Sequence, residues 1–222
     1  MFKQLNLSVI AALLLTANVL LITSTSFTVN AQQRMPRGNN YSSNNSYSPQ
    51  YNFGPKIGLS IGSFTKEPDA TSLTGLVLGL YGEYKMQPKL SISGELLYSQ
   101  QGAMFEYERS EERILLDYIN IPVLLSYYAS NSFAFKMGLQ AGYLLSATVQ
   151  YTDFRYDATD TEDVIKYCNT LDFSIPVGLS YTFDFGLKID ARYNFGLSKI
   201  LKRDGNYTNS VFQITLGYNL DL

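Results

Sequence analysis

The chain has 222 residues, 45% of them apolar and 16% charged, with a formal net charge of -2. That balance excludes a basic nucleic-acid binder and a charge-driven disordered chain. The lack of any His removes Ser-His triads, His-ligated metals and imidazole acid–base work, and a single Cys excludes a disulfide scaffold and a zinc ribbon.

At the N-terminus Lys3 precedes an apolar run from Leu5 to Ile22, interrupted by Asn6, Ser8, Thr16 and Asn18. Val29-Asn30-Ala31 approximates the small-x-small rule for signal cleavage. Residues 1–31 therefore read as a signal peptide. The competing reading is an uncleaved anchor, because the run approaches the ~20 residues of a spanning helix. On export, Cys168 has no intramolecular partner in an oxidising compartment. Residues 32–52 carry Arg34 and Arg37 and then mostly Asn, Ser, Tyr and Pro. Nothing there builds a core, so a flexible periplasmic tether is expected.

From residue 53 to 222 the pattern is strict alternation, the period of a β-strand. Ile57, Leu59 and Ile61 oppose Lys56, Gly58, Ser60 and Gly62, and Leu76, Leu78, Leu80 and Tyr84 oppose Gly79, Tyr81 and Glu83. Leu90, Ile92, Leu96 and Tyr98 oppose Ser91, Ser93, Glu95 and Ser99. Five more faces follow: Ile119 to Tyr127, Phe133 to Val149, Phe173 to Phe183, Leu187 to Leu197, and Phe212 to Leu222. The connections alternate in length. Residues 85–89, 129–132 and 184–186 are short; 65–74, 106–113, 152–170 and 198–209 are longer and polar.

Short turns at one end and long loops at the other describe an all-β fold: an eight-stranded antiparallel up-and-down transmembrane β-barrel. A β-sandwich fits poorly, because its strands usually run about 5–6 residues. A soluble lipocalin-like barrel would keep its apolar face inside, yet the other face here is mostly Gly, Ser, Asn and Thr with charges, which suits a crowded lumen. Tyr84, Tyr127, Phe133 and Tyr181 fall by the short turns, and Tyr98, Phe173 and Phe212 by the long loops, as two aromatic girdles require. An even strand count returns the chain to its starting side, so both termini are expected to be periplasmic.

Several motifs together resemble the PorT-like outer-membrane β-barrel family: Glu95-Leu96-Leu97-Tyr98-Ser99-Gln100-Gln101-Gly102, Tyr118-Ile119-Asn120-Ile121-Pro122-Val123-Leu124-Leu125, and Gly142-Tyr143-Leu144-Leu145-Ser146. Ala191-Arg192-Tyr193-Asn194-Phe195-Gly196-Leu197 and Phe212-Gln213-Ile214-Thr215-Leu216-Gly217-Tyr218 continue the likeness. The resemblance implies a Gram-negative outer membrane of the Bacteroidota type and an accessory part in protein secretion. It brings no catalytic residues. Thr215, Gly217, Leu220 and Leu222 resemble the signal read by the barrel-insertion machinery; Leu222 departs from the terminal aromatic most common there.

No catalytic, cofactor-binding or metal residues are assigned. Glu83 with Glu95 could form a glycosidase pair, but both share the inward parity with basic residues. Parity places Lys56, Lys136, Lys188 and Arg192 inside against Glu83, Glu95, Asp172 and Asp190, a balanced lumen ion-pair network in which Arg192 is expected to meet Asp190 or Asp172. The loop over 152–169 carries Asp153, Asp157, Asp160, Glu162 and Asp163 without EF-hand spacing, and reads as a solvated acidic loop. Pro122 and Pro176 also fall on the inward parity, where a bulge could absorb their missing donors. The resulting expectation is a non-enzymatic interaction or assembly protein of the cell envelope. Its partners would be outer-membrane lipid, the insertion machinery and an unidentified envelope or secretion protein, with no nucleic acid. The alternative is a narrow pore for ions or small solutes.

Overall fold

Side chains that alternate between apolar and small or charged types can be satisfied only if the two faces of each strand meet different surroundings. The computed structural model describes residues 50–65, 70–107, 110–154, 158–202 and 207–220. All belong to one compact unit, Ser46–Leu222; the other unit, Met1–Asn45, lies outside the described residues, as do the signal-peptide reading and residues 32–49 of the tether reading.

The described residues form nine strands: β1 (Gln50–Phe64), β2 (Ala70–Gln87), β3 (Leu90–Tyr107), β4 (Ser110–Tyr128), β5 (Phe133–Asp153), β6 (Ala158–Asp163), β7 (Leu171–Thr182), β8 (Leu187–Lys199) and β9 (Thr208–Tyr218). Eight of them pair antiparallel in a closed ring, β1-β2-β3-β4-β5-β7-β8-β9, with β9 returning to β1 through Lys56↔Gly217 to Phe64↔Asn209. The short β6 pairs with β5 outside the ring, from Thr148↔Asp163 to Asp153↔Ala158. The expected eight-stranded up-and-down barrel is therefore observed, with one added strand.

Parity sorts the side chains as expected. Ile57, Leu59, Leu78, Leu125, Leu139, Val177 and Leu216 stand exposed on the outer wall, while Lys56, Glu83, Glu95, Asp190 and Arg192 are buried within it. Aromatics crowd the short-turn end, where Tyr51 stacks on Tyr84 at 4.8 Å and Phe183 meets both Tyr181 at 4.8 Å and Phe185 at 5.3 Å. Aromatics at that level suit a boundary between hydrocarbon and water.

Beyond strand ends that reach into the loops expected over 65–74 and 198–209, the structure departs from the sequence reading in four places. β1 begins at Gln50, so the last three residues of the supposed tether are strand. The loop expected over 106–113 is a hairpin that stays paired to Tyr107↔Ser110. The loop expected over 152–170 holds β6, a single 3-10 turn at Ile165–Tyr167, and cross-ties on both sides. Val164 donates to the Ala147 carbonyl at 2.9 Å, Asn169 to that of Ile200 at 2.8 Å, and Lys202 to that of Tyr167 at 3.0 Å. Its acidic side chains Asp160, Glu162 and Asp163 are exposed, but its backbone is stitched to β5 and to the end of β8.

The fourth departure concerns the prolines. Pro122 sits where the β3–β4 ladder skips from Gly94↔Val123 to Leu97↔Asn120, and Pro176 where the β5–β7 ladder skips from Met137↔Val177 to Gln140↔Ser174. The register is the same on either side of each gap, so no bulge forms; the ladder loses rungs where the ring nitrogen has nothing to donate. The resemblance motif ending in Gly102 has its own physical reason. That residue has φ +145°, a conformation that L side chains rarely adopt, and a Cβ there would lie 1.9 Å from the Ile114 carbonyl oxygen.

Candidate functional site

The lumen is built in two layers. Toward the short-turn end, inward residues of β1, β2, β3, β5 and β8 meet in one charge network. Glu95 on β3 receives Lys56 Nζ at 2.7 Å and Arg192 Nη1 at 2.8 Å, with Lys136 Nζ at 3.7 Å. Asp190 receives Lys56 at 2.8 Å and Lys136 at 2.9 Å. Below them Lys188 meets Glu83 at 2.5 Å, and Glu83 also accepts from Tyr128 Oη at 2.7 Å and from the Ser91 hydroxyl. The Tyr81 ring joins the two groups, lying 5.3 Å from Lys56 Nζ and 5.4 Å from Lys188 Nζ.

Seven of the eight residues expected in the network are thus brought together. Asp172 is not among them. It makes no ion pair among the described residues, and its neighbours are Asn209 and Tyr118. Nor does Arg192 pair with Asp190 or Asp172 as expected; it spans to Glu95 with Nη1 and donates from Nε to Gln213 Oε1 at 2.8 Å. The network therefore holds four cations against three carboxylates. Glu83 and Glu95 are each saturated by cations or hydroxyl donors, which leaves neither carboxylate poised as the acid or nucleophile of a glycosidase. Tyr128, Ser91 and Gln213 were not singled out from sequence, although all three share the inward parity of their strands.

Toward the long-loop end the lumen turns apolar. Leu116, Tyr118, Leu144 and Ala147 are buried together with Phe64, Ala103, Cys168 and Ile200. Above them opens a cavity of about 720 Å³. The cavity was not legible as a site, because Val164, Tyr167, Cys168, Ile200 and Tyr207 come from segments read as polar loops and Phe64, Phe105 and Ile114 lie at the edges of the alternating stretches. Burial pushes the Cys168 thiol up from its ordinary range, so this cysteine is a packed wall residue and not an activated nucleophile. Among the described residues no cluster of three or more His, Cys, Asp or Glu side chains is placed to hold a metal ion.

The residues of the expected insertion signal lie on the closing strand and just after it. Thr215 is buried inside, Gly217 faces Lys56 and Lys188 across the two seams, and Leu220 is exposed with its amide donating to the Phe53 carbonyl at 2.8 Å. Leu222 lies outside the described residues.

A closed antiparallel ring with an apolar outer wall and charges packed inside defines a membrane β-barrel. Residues 25–202 match the family model described as "Outer membrane protein beta-barrel domain", and the chain belongs to that family. It is accordingly a protein of the outer membrane. No curated protein sequence matches it. Among solved structures it is similar to Ail, the attachment invasion locus protein of Yersinia pestis, at 15% identity over 76% of this chain and 98% of that one, with a TM-score of 0.48. It is also similar to Neisserial surface protein A, at 10% identity over 76% and 97% of the two chains and a TM-score of 0.49. The outer membrane enzyme PagL is similar at 10% identity over 74% and 99%, with a TM-score of 0.37.

Proposed function

We propose that this protein is a non-enzymatic interaction or assembly barrel of the cell envelope, exported by the signal peptide over 1–31 and tethered through the residues that follow. The observation that carries this reading is the crossed lumen: Lys56, Lys136 and Arg192 reach Glu95 and Asp190 from different strands and leave the interior bridged by ion pairs. An eight-stranded barrel is only wide enough for its own side chains. What is left for contact with other molecules is the rim. There β3, β4 and β5, of 18, 19 and 21 residues, far exceed the ~9–11 residues a tilted strand needs to cross the bilayer, and β6 widens the projecting sheet. The accessory role in secretion implied by the PorT-like motifs belongs with this reading, as do a Gram-negative host, an unidentified envelope or secretion partner, and the insertion signal at Thr215, Gly217, Leu220 and Leu222.

The narrow-pore alternative has one observation in its favour. Asn120, Gln140, Ser174, Asn194 and Arg192 Nη2 are buried with side-chain atoms that find no hydrogen-bond partner among the described residues. Such a polar band is what a thin aqueous path would need. Planar-bilayer recording of the purified barrel separates the two. The assembly reading expects no steady single-channel current from the wild type; steady currents whose ion selectivity shifts in Arg192→Ala would promote the pore.

Periplasmic termini make a second expected result. Cys168 is buried, so an introduced cysteine dominates labelling by an impermeant reagent on intact cells. Asp160→Cys, on the exposed β6, should label, and Gln87→Cys, at a short turn, should not. Labelling at Gln87 alone would invert the topology.

A further inference from the structure

The cavity at the long-loop end, about 720 Å³, falls within the ~300–1,000 Å³ typical of small-molecule sites. Phe64 from β1, Phe105 from β3, Ile114 from β4, Val149 from β5, Cys168 from the β6–β7 connection and Ile200 beyond β8 supply its wall. Four strands and two connections converge on it, so it is a product of the ring and not a gap within one loop. Its floor rests on buried Leu116, Tyr118 and Leu144, with Tyr118 Oη receiving Asn209 Nδ2 at 3.3 Å. The connection that forms one side is held by backbone hydrogen bonds on both flanks, from Val164 to Ala147 and from Asn169 to Ile200.

The lining chemistry narrows the guest. Aromatic and aliphatic side chains dominate, Glu106 is the one acid, and no Lys or Arg lines the cavity among the described residues. Among the described residues that line it, none offers an anionic headgroup a counter-charge. A bilayer lipid tail would have to pass through the strand wall, since the cavity lies at the end of the ring and not on its lipid-facing side. Apolar walls facing water in a concave space gain from covering by an apolar guest.

We propose that this cup binds a small uncharged apolar molecule, aromatic or of short-chain hydrocarbon, at the rim of the closed lumen. The site is independent of the assembly reading, since it needs neither a partner protein nor a conducting path.

The test uses the full-length barrel in phospholipid nanodiscs and N-phenyl-1-naphthylamine, a neutral aromatic fluorophore, as the probe. After subtraction of empty nanodiscs, the wild type should show one saturable site per barrel. Val149→Arg and Ile114→Arg put a charge into the wall at partly buried positions and should lose that site while keeping heat-modifiable gel mobility. A wild-type readout stands beside the variants, because Cys168 is the chain's one cysteine and lies in the wall. Probe at ten times its Kd should slow Cys168 modification by methyl methanethiosulfonate about tenfold, if reagent and probe compete for one space. Wild-type fluorescence no higher than that of empty nanodiscs would overturn the proposal. So would saturable binding that both folded variants retain in full, or Cys168 modification that proceeds at the same rate with and without the probe.

Discussion

Glu95→Gln is expected to destabilise the barrel by about 3–5 kcal/mol, the cost of removing one partner from a buried ion pair. Three cations converge on this carboxylate, Lys56 at 2.7 Å, Arg192 at 2.8 Å and Lys136 at 3.7 Å, and its side chain is 1% exposed. Without its charge Lys56 and Lys136 keep Asp190 alone and Arg192 keeps no carboxylate, and water cannot reach them freely. The amide keeps the shape of the carboxylate, so packing loss is a minor part of the effect. Glu83→Gln should cost less, because Glu83 holds a single cation, Lys188, and two hydroxyl donors that an amide oxygen can still satisfy. Urea unfolding in lipid vesicles, followed by the heat-modifiable gel shift, gives both numbers. A loss below about 1 kcal/mol for Glu95→Gln, the level of a solvated surface pair, would mean that the lumen is wet and the crossed network is not a plug. A cycle with Arg192→Leu should then show coupling between the two sites, since they share one hydrogen bond.

The faces of the strands were legible because each wall separates two surroundings that demand opposite side chains. Every inward charge named from parity is buried, including Lys188 and Asp190 on β8 and Lys136 on β5. Which inward residues meet was not legible. Arg192 on β8 reaches Glu95 on β3, two strands that share no ladder, and that meeting depends on the stagger of the strands around the ring. Parity fixes the side of the wall but not the height along it. Asp172 shows the same limit: it has the right face, yet it sits by Tyr118 and Asn209 in the upper layer.

The cup was hidden for a different reason. Phe64, Phe105 and Ile114 lie at strand ends or beyond the stretches of clean alternation, and the β4–β5 ladder shifts register between Asp117 and Tyr118. Val164, Cys168 and Ile200 belong to connections whose abundant charges drew attention away from their apolar residues. A segment with as many acids as 152–169 reads as solvated, and the side chains of Asp160, Glu162 and Asp163 are. Its backbone, stitched to β5 and beyond β8, is not.

Gly58→Val is expected to prevent closure of the ring, while Gly82→Val is expected to leave it intact. Valine is the better strand residue in both places by up to ~1 kcal/mol, so propensity alone predicts two stabilised proteins. Space decides otherwise. A Cβ on Gly58 would stand 2.1 Å from the Ile214 carbonyl oxygen and 2.6 Å from the Thr215 Cα, both backbone atoms of β9 that cannot rotate away. Gly58 pairs with Thr215 at the seam where the first strand meets the last, so the neighbour can yield only by opening the ring. Overpacking a core usually costs ~1–3 kcal/mol where side chains can shift; against fixed backbone in the closing seam the loss should be larger. Gly82 lies on the outer wall with nothing within 4 Å of its Cβ position, so a valine there has room. Refolding into vesicles, read by heat-modifiable mobility, should give a folded band for Gly82→Val and little or none for Gly58→Val. Equal folding of the two would show that the β1–β9 seam has slack, and that the crossed ion pairs, not the backbone, hold the barrel shut.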